Sequence, residues 1–294
     1  MQKIIPHLWF DQEAKEAAEF YISAFGENSR ITNITTIEGT PSGNCDIVSF
    51  VLAGQKFMAI SAGPHFQFNP SVSFTVHCHT AEEVDSLWDK LFEGATALMP
   101  LASYPFSERY GWLQDKYGLS WQIMYNAQEF TQKITPALMF TGDICGKAEE
   151  AINFYVSVFH HATFDAKARY EKEEDPDAEG MLKFAAFTLE GQKFSAMDSS
   201  YEHGFSFNEA ISFLVLCEDQ TDIDYYWEKL SAVPEAEQCG WLRDKYGLSW
   251  QISPQRMEEI MQTDDKEKLN RVTKSFLKMK KFDLAELEKA YQGK

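Results

Sequence analysis

Apolar residues along this chain first crowd into a short run and then recur at helical spacing. The run IIPHLWF, from Ile4 to Phe10, has the length and composition of a buried strand. Within it Leu8 and Phe10 read as one face, and Ile5, His7 and Trp9 as the other. Ala14, Ala17, Ala18, Tyr21 and Phe25 then recur at intervals of three and four, which predicts a helix with one buried face. Strand-like stretches follow near 30–38, 45–53 and 55–61, the last two joined by a turn at AGQK. The pattern then restarts. VSFTVHC reads as a strand and TAEEVDSLWDKLF as a helix, with Thr80 at the N-cap and Glu83 at the capping-box position. Short strands end in GWLQDK and LSWQIMY, joined at Tyr117-Gly118.

The whole pattern is written twice. GWLQDKYGLSWQI, ending at Ile123, returns as GWLRDKYGLSWQI, ending at Ile252, and differs only at Gln114 against Arg243. IIPHLWF returns as ITPALMF (Ile134 to Phe140), EFYISAF as NFYVSVF, and FNPSVSFTVHC as FNEAISFLVLC. The offset drifts from 130 to 139 and falls back to 129, so length changes sit in loops while the elements keep their order. A period of this size is a domain, not a solenoid repeat. The sequence thus divides into 1–130, 131–254 and a tail, 255–294. The expected class is α+β, with four βαβββ units and a C-terminal helical tail. In the tail, Met257, Ile260 and Met261 form one apolar stripe, and Leu269, Val272, Phe276 and Leu277 another. Asp283 with Glu286 makes a second capping box. These helices are expected to pack on the domains or on a partner subunit.

Hydrophobic residues make up 44% of the 294 and aromatics 14%, so a packed core is expected. The net charge of −18 repels phosphate backbones and anionic lipid, which argues against nucleic acid and membrane surfaces as partners. Five cysteines without CxxC spacing fit reduced thiols better than a disulfide framework or a structural zinc site. With no long apolar segment near the N-terminus, the expected location is the cytoplasm.

Paired βαβββ units carrying GQKF, FN-x-x-x-SF, YYWEKL and GWL-x-DKYG-x-SWQI resemble the PhnB-like branch of the vicinal oxygen chelate superfamily. This is the fold of glyoxalase I, extradiol dioxygenases and fosfomycin-resistance proteins, and the branch is often described as 3-demethylubiquinone-9 3-methyltransferase. The resemblance covers both repeats, and MKKFDLAELEKA is similar to tails in that branch. It implies that two adjacent units form a half-open sheet whose concave face encloses a pocket. In metal-using relatives the ligands come from the first and fourth strands of each unit, and a divalent ion stabilises a developing anion on the substrate.

By that resemblance Gln122 and Gln251 stand where metal-using relatives carry a glutamate. A neutral amide is a weaker donor to a hard cation than a carboxylate. His7 lies two residues from the expected ligand position, and its counterpart is Ala137. The fourth strands end at Ser61 and at Asp198. No repeat collects the three or four ligands that a divalent site needs. The pocket candidates are therefore His7, Trp9, Ser61, Gln122, Asp198 and Gln251, with no cofactor expected. The leading expectation is binding of a small, partly apolar molecule, one pocket per domain. The alternative is a metal-dependent lyase, isomerase or dioxygenase-like enzyme, using His7 with Gln122 or Asp198 with Gln251. Methyl transfer is not expected, because no GxGxG or GxGxxG loop for S-adenosylmethionine is present. The fused repeats replace a homodimer or form one further dimer.

Several other groups have simpler explanations. His77 and His79 flank Cys78, but the second copy has Leu216 and Glu218 there, so a loop pair is favoured over a metal fragment. Cys78 and Cys217 recur as small buried thiols, without a base beside both. His65 and His203 fall in loops near the expected pocket mouth. Asp115 and Asp244 read as turn-stabilising groups.

Overall fold

The computed structural model describes residues 2–172, 174 and 176–294. The chain forms two compact units: Met1–Ile22, Asn28–Gln67 and Asn208–Lys294 make the first, and Ser23–Glu27 with Phe68–Phe207 the second.

The first unit begins with β1 (Ile4–Phe10), α1 (Ala14–Phe25), β2 (Arg30–Thr40), β3 (Gly43–Leu52) and β4 (Gln55–Ser61). The second holds β5 (Val72–Cys78), α2 (Ala81–Leu91), β6 (Thr96–Tyr104), β7 (Ser107–Gln114) and β8 (Ser120–Tyr125). It continues with β9 (Ile134–Phe140), α3 (Ala148–Val158), β10 (Thr163–Arg169), β11 (Leu182–Leu189) and β12 (Gln192–Asp198). The chain then returns to the first unit for β13 (Ile211–Cys217), α4 (Gln220–Leu230), β14 (Trp241–Arg243) and β15 (Ser249–Pro254). The tail adds α5 (Arg256–Met261), α6 (Lys266–Phe276) and α7 (Leu284–Gln292).

The first unit's sheet runs β14-β15-β13-β1-β4-β3-β2, and the second unit's runs β10-β11-β12-β9-β5-β8-β7-β6. This corrects the expectation that each sequence repeat, 1–130 or 131–254, closes its own sheet. Each sheet instead takes one βαβββ half from each repeat. In the first, β1 pairs antiparallel with β13, setting Ile4 against Val215 and His7 against Ser212. In the second, β5 pairs antiparallel with β9, setting Ser73 against Ala137. The physical reason is that β5 and β13 carry the same apolar pattern. Periodicity cannot say which of them β1 will choose.

A second difference lies in the fourth unit. The second repeat has ten fewer residues between its second helix and GWL, and a 3₁₀ turn, Pro234–Ala236, stands where β6 stands in the first. Among the described residues that unit is therefore βαββ.

Central strands are buried on both faces: every residue of β13 is buried, and all but Trp9 in β1. Helix α1 buries Ala14, Ala17, Ala18 and Tyr21 as its spacing predicts, and leaves Phe25 half-buried. Thr80 caps α2 by accepting from Glu83 N at 3.1 Å, while Glu83 Oε2 accepts from His79 N at 2.8 Å.

The tail folds onto the first unit's own sheet. Met257, Ile260, Leu269, Val272, Phe276, Phe282 and Leu287 form one buried cluster with Ile37 of β2 and Cys45 of β3. Burying each large side chain contributes about 1.5–3 kcal/mol. Polar contacts fix the direction: Gln220 Nε2 donates to Phe282 O at 3.1 Å, and Cys239 N and Gly240 N donate to Met279 O and Lys280 O, each at 2.8 Å. At the other end Thr35 Oγ1 donates to Met261 O, and Lys56 pairs with Glu258 at 3.2 Å. Asp283 caps α7 through Glu286 N, as its sequence predicts.

Candidate functional site

Between the first unit's sheet and its tail lies a cavity of about 890 Å³. Strand alternation supplies its floor. Ile5, His7 and Trp9 of β1 reach the cavity, with Met58 and Ile60 of β4 and Leu214 and Leu216 of β13 beside them. The tail supplies the opposite wall through Met257, Met261, Phe276, Leu277 and Phe282. These tail residues were not foreseen as site residues. Their apolar stripes are visible in the sequence, but a stripe carries no address.

Polar side chains also line the cavity: His7 and Gln251 on the floor, and the charged Arg30, Lys56, Glu209, Glu235 and Glu258 elsewhere on the wall. Gln251 of β15 donates its Nε2 to Ser212 Oγ at 2.9 Å, and Ser212 is the register partner of His7. The imidazole and the amide therefore flank one hydroxyl. His7 is 3% exposed, and its Nδ1 is buried without a hydrogen-bond partner. Burial alone pulls its pKa down to about 3, so the ring is neutral at ordinary pH, with one donor and one acceptor nitrogen. Trp241 meets the ring edge-on at 5.5 Å, and Trp9 meets Trp241 at 5.8 Å. Trp9 Nε1 donates to Gly63 O at 2.8 Å, so the indole is held in place as part of the wall. His65, also on the wall, has Ser42 Oγ 3.4 Å from its Nε2.

Gln122, the copy of Gln251, lies in the second unit. Its Nε2 donates to Ser73 Oγ at 2.8 Å, and its Oε1 accepts from Tyr110 Oη at 2.9 Å. Both ends of this amide are used internally. The repeats put Cys239 at the position of Tyr110 and His7 at that of Ala137, so Gln251 has no such phenol beside it.

Ser61 and Asp198 are not wall residues of this cavity; each accepts hydrogen bonds from backbone amides near a helix start. Ser61 Oγ accepts from Ala14 N at 3.1 Å, at the start of α1. Asp198 does the same work at α3: its Oδ1 accepts from Gly146 N at 2.8 Å and Ala148 N at 3.1 Å, and its Oδ2 from Leu182 N at 3.1 Å. Burial raises the Asp198 pKa, while those three amides oppose the rise. Strand ends that precede a helix across the sheet are natural caps, and that explains a serine and an aspartate at equivalent positions.

The pairings His7 with Gln122 and Asp198 with Gln251 each have one member in each unit. The exchange of halves puts His7 and Gln251 in the first unit and Gln122 in the second. As a metal centre this set does not fit: one imidazole and one neutral amide face apolar neighbours, with no carboxylate between them. Among the described residues no group of three or more His, Cys, Asp or Glu is placed to hold a metal.

The remaining candidates have structural roles. Asp115 accepts from Tyr117 N, Leu119 N and Trp121 Nε1 at 2.9, 3.0 and 2.9 Å. Asp244 accepts from Tyr246 N, Leu248 N and Trp250 Nε1 at 2.8, 3.1 and 2.9 Å. The repeated phrase thus closes a hairpin around a buried carboxylate. His79 stacks on Phe130 at 4.1 Å, and His77 contacts Thr135 Oγ1 at 3.3 Å. Burial pushes the Cys78 thiol up to about 12 despite nearby Lys133, which removes it as a nucleophile at neutral pH. His203 contacts Ser199 Oγ at 2.8 Å. Among the described residues no helix is long and apolar enough to cross a membrane.

Comparison with known proteins agrees with this architecture. A family described as 3-demethylubiquinone-9 3-methyltransferase matches residues 2–124 and again 132–253. The PhnB protein of Bacillus cereus, which carries the same description, is 42% identical over 42% of this chain and all of its own, with a TM-score of 0.40. Glyoxalase I from Zea mays covers 86% of this chain and 93% of its own at 9% identity and a TM-score of 0.55, a likeness of fold. Comparison with curated proteins finds no match. With both repeats matched and the glyoxalase-like fold in place, the chain belongs to the PhnB-like family of that description, in a tandem two-domain form.

Proposed function

We propose that the protein binds a small, largely apolar molecule in the first unit's cavity, between the sheet and the tail helices. One observation carries this: the cavity of about 890 Å³ has a mainly apolar floor and tail wall and keeps a buried, unpartnered His7 Nδ1 on that floor. An orphaned polar atom in a buried site costs about 1–3 kcal/mol, and a ligand that meets it recovers that cost. The size suits a drug-sized molecule, and polar groups set among apolar side chains suit its orientation. Beside His7 and Gln251, a neutral imidazole and a neutral amide favour an uncharged group of the ligand over an anionic one. The family's description as a methyltransferase adds a reaction to which none of these side chains gives a step.

Calorimetric titration of the full chain with 2-naphthol tests the proposal. One saturable site per chain is expected, lost in Met58→Trp, which fills the cavity beside His7. Absence of saturable binding, or binding unchanged in Met58→Trp, would contradict it.

A further inference from the structure

The two copies of one glutamine–serine pair differ in a way that identifies what the cavity takes. In the second unit Gln122 is complete: Ser73 Oγ accepts from its amide nitrogen, and the Tyr110 phenol donates to its carbonyl at 2.9 Å. In the first unit Gln251 keeps the serine partner, Ser212, at 2.9 Å. The tyrosine has become Cys239, whose thiol turns to Phe276 O at 3.5 Å. Gln251 Oε1 is left on the cavity wall with no donor from the described residues. At the position of the small Ala137, the first unit has His7, whose Nδ1 is likewise unpartnered. A buried, unpartnered imidazole nitrogen and an amide carbonyl on the cavity wall thus flank Ser212, where the second unit has a tyrosine hydroxyl and a methyl group.

We infer that the cavity takes a molecule carrying a phenol-like hydroxyl, which donates to Gln251 Oε1 and meets His7 in the place that Tyr110 holds beside Gln122. This deepens the binding proposal and rests on it. A hydroxyl suits both groups because it donates once and accepts as well. With its proton given to Gln251, the hydroxyl accepts from His7, which takes the tautomer that carries its hydrogen on Nδ1. The ring that bears the hydroxyl lies against Trp9, Trp241 and the tail residues Phe276 and Phe282, all on the cavity wall. The Tyr110 contact is the internal precedent, with the same donor type, the same acceptor and the same place in the repeat.

The test compares 2-naphthol, naphthalene and 2-methoxynaphthalene by calorimetry on the full chain. These share one ring system, and only the first can donate. 2-Naphthol is expected to bind about tenfold more tightly than naphthalene, and the methyl ether to gain little or nothing. Gln251→Leu should erase the preference while keeping binding of the ring system. Cys239→Tyr should weaken 2-naphthol most, by returning an internal phenol to the carbonyl. If that variant or Gln251→Leu fails to fold, the three-ligand comparison on the unaltered protein still decides. Equal affinities for all three, with one saturable site, would overturn the hydroxyl inference and leave the apolar cavity standing. Saturable binding of none would overturn both.

Discussion

Gly240 lies beneath the ring of Phe282, so close that a Cβ on Gly240 would stand 2.7 Å from Phe282 Cε2 and 2.9 Å from Ile252 O. Gly240 opens the repeated GWL phrase, and Phe282 belongs to the tail, so the phrase is also the seat of the cavity's far wall. Its backbone is at φ +84°, where an L side chain is strained as well. Gly240→Ala is expected to cost about 1–3 kcal/mol in urea unfolding and to weaken 2-naphthol binding by displacing Phe282. Gly111, its copy, is needed for another reason: a Cβ there would meet the Trp88 ring at 2.3 Å. Gly111→Ala should destabilise the protein and leave 2-naphthol affinity unchanged.

His7 sets a stability profile against pH. Its folded pKa of about 3 lies below the ordinary 6.5, so between those values the unfolded chain holds a proton that the native state lacks. Stability contributed by the neutral, buried ring is therefore present above about 6.5 and falls as pH drops below it. The limiting slope for one such proton is about 1.4 kcal/mol per pH unit. His7→Phe should flatten the unfolding free energy between pH 6.5 and 5 by up to that slope. An unchanged slope would show that His7 takes up its proton normally in the native state.

Asp198 gives a prediction that separates a cap from a ligand. Asp198→Ala strands three backbone amides, those of Gly146, Ala148 and Leu182. The expected cost is about 2–4 kcal/mol by urea unfolding, with 2-naphthol affinity in the first unit unchanged. Loss of binding without loss of stability would restore Asp198 as a functional group.

How much of this was legible in the sequence differs from element to element. Alternation in IIPHLWF put His7 and Trp9 on one strand face, and that face is the cavity floor. Helical spacing found the tail's stripes, and Asp283 announced its cap. The exchange of halves was not legible, because β5 and β13 offer β1 the same apolar edge. The pairing of His7 with Gln251 was hidden for that reason alone. The capping contacts of Ser61 and Asp198 were hidden because a strand end beside a helix start looks, in one dimension, like a strand end beside a pocket. The one-residue change from Tyr110 to Cys239 is visible when the two repeats are set side by side, but its meaning needs the hydrogen bond to Gln122.

Cys78 is expected to be chemically silent. Fully buried, with its thiol raised to about 12, it should not react with a disulfide reagent in the native protein at pH 8, as peptide mass mapping would show. Cys78→Ala should leave 2-naphthol binding unaltered. Rapid native labelling at Cys78 would contradict the burial on which its structural role rests.

The most direct test of the cavity is to watch its tryptophans. In the ¹H–¹⁵N spectrum of the full chain, each indole N–H reports on its own surroundings. Saturation with 2-naphthol is expected to shift the signals of Trp9 and Trp241, which line the cavity, and to leave Trp88, Trp112 and Trp121 in the second unit unmoved. Shifts confined to Trp112, or none at saturation, would contradict binding in the first unit's cavity.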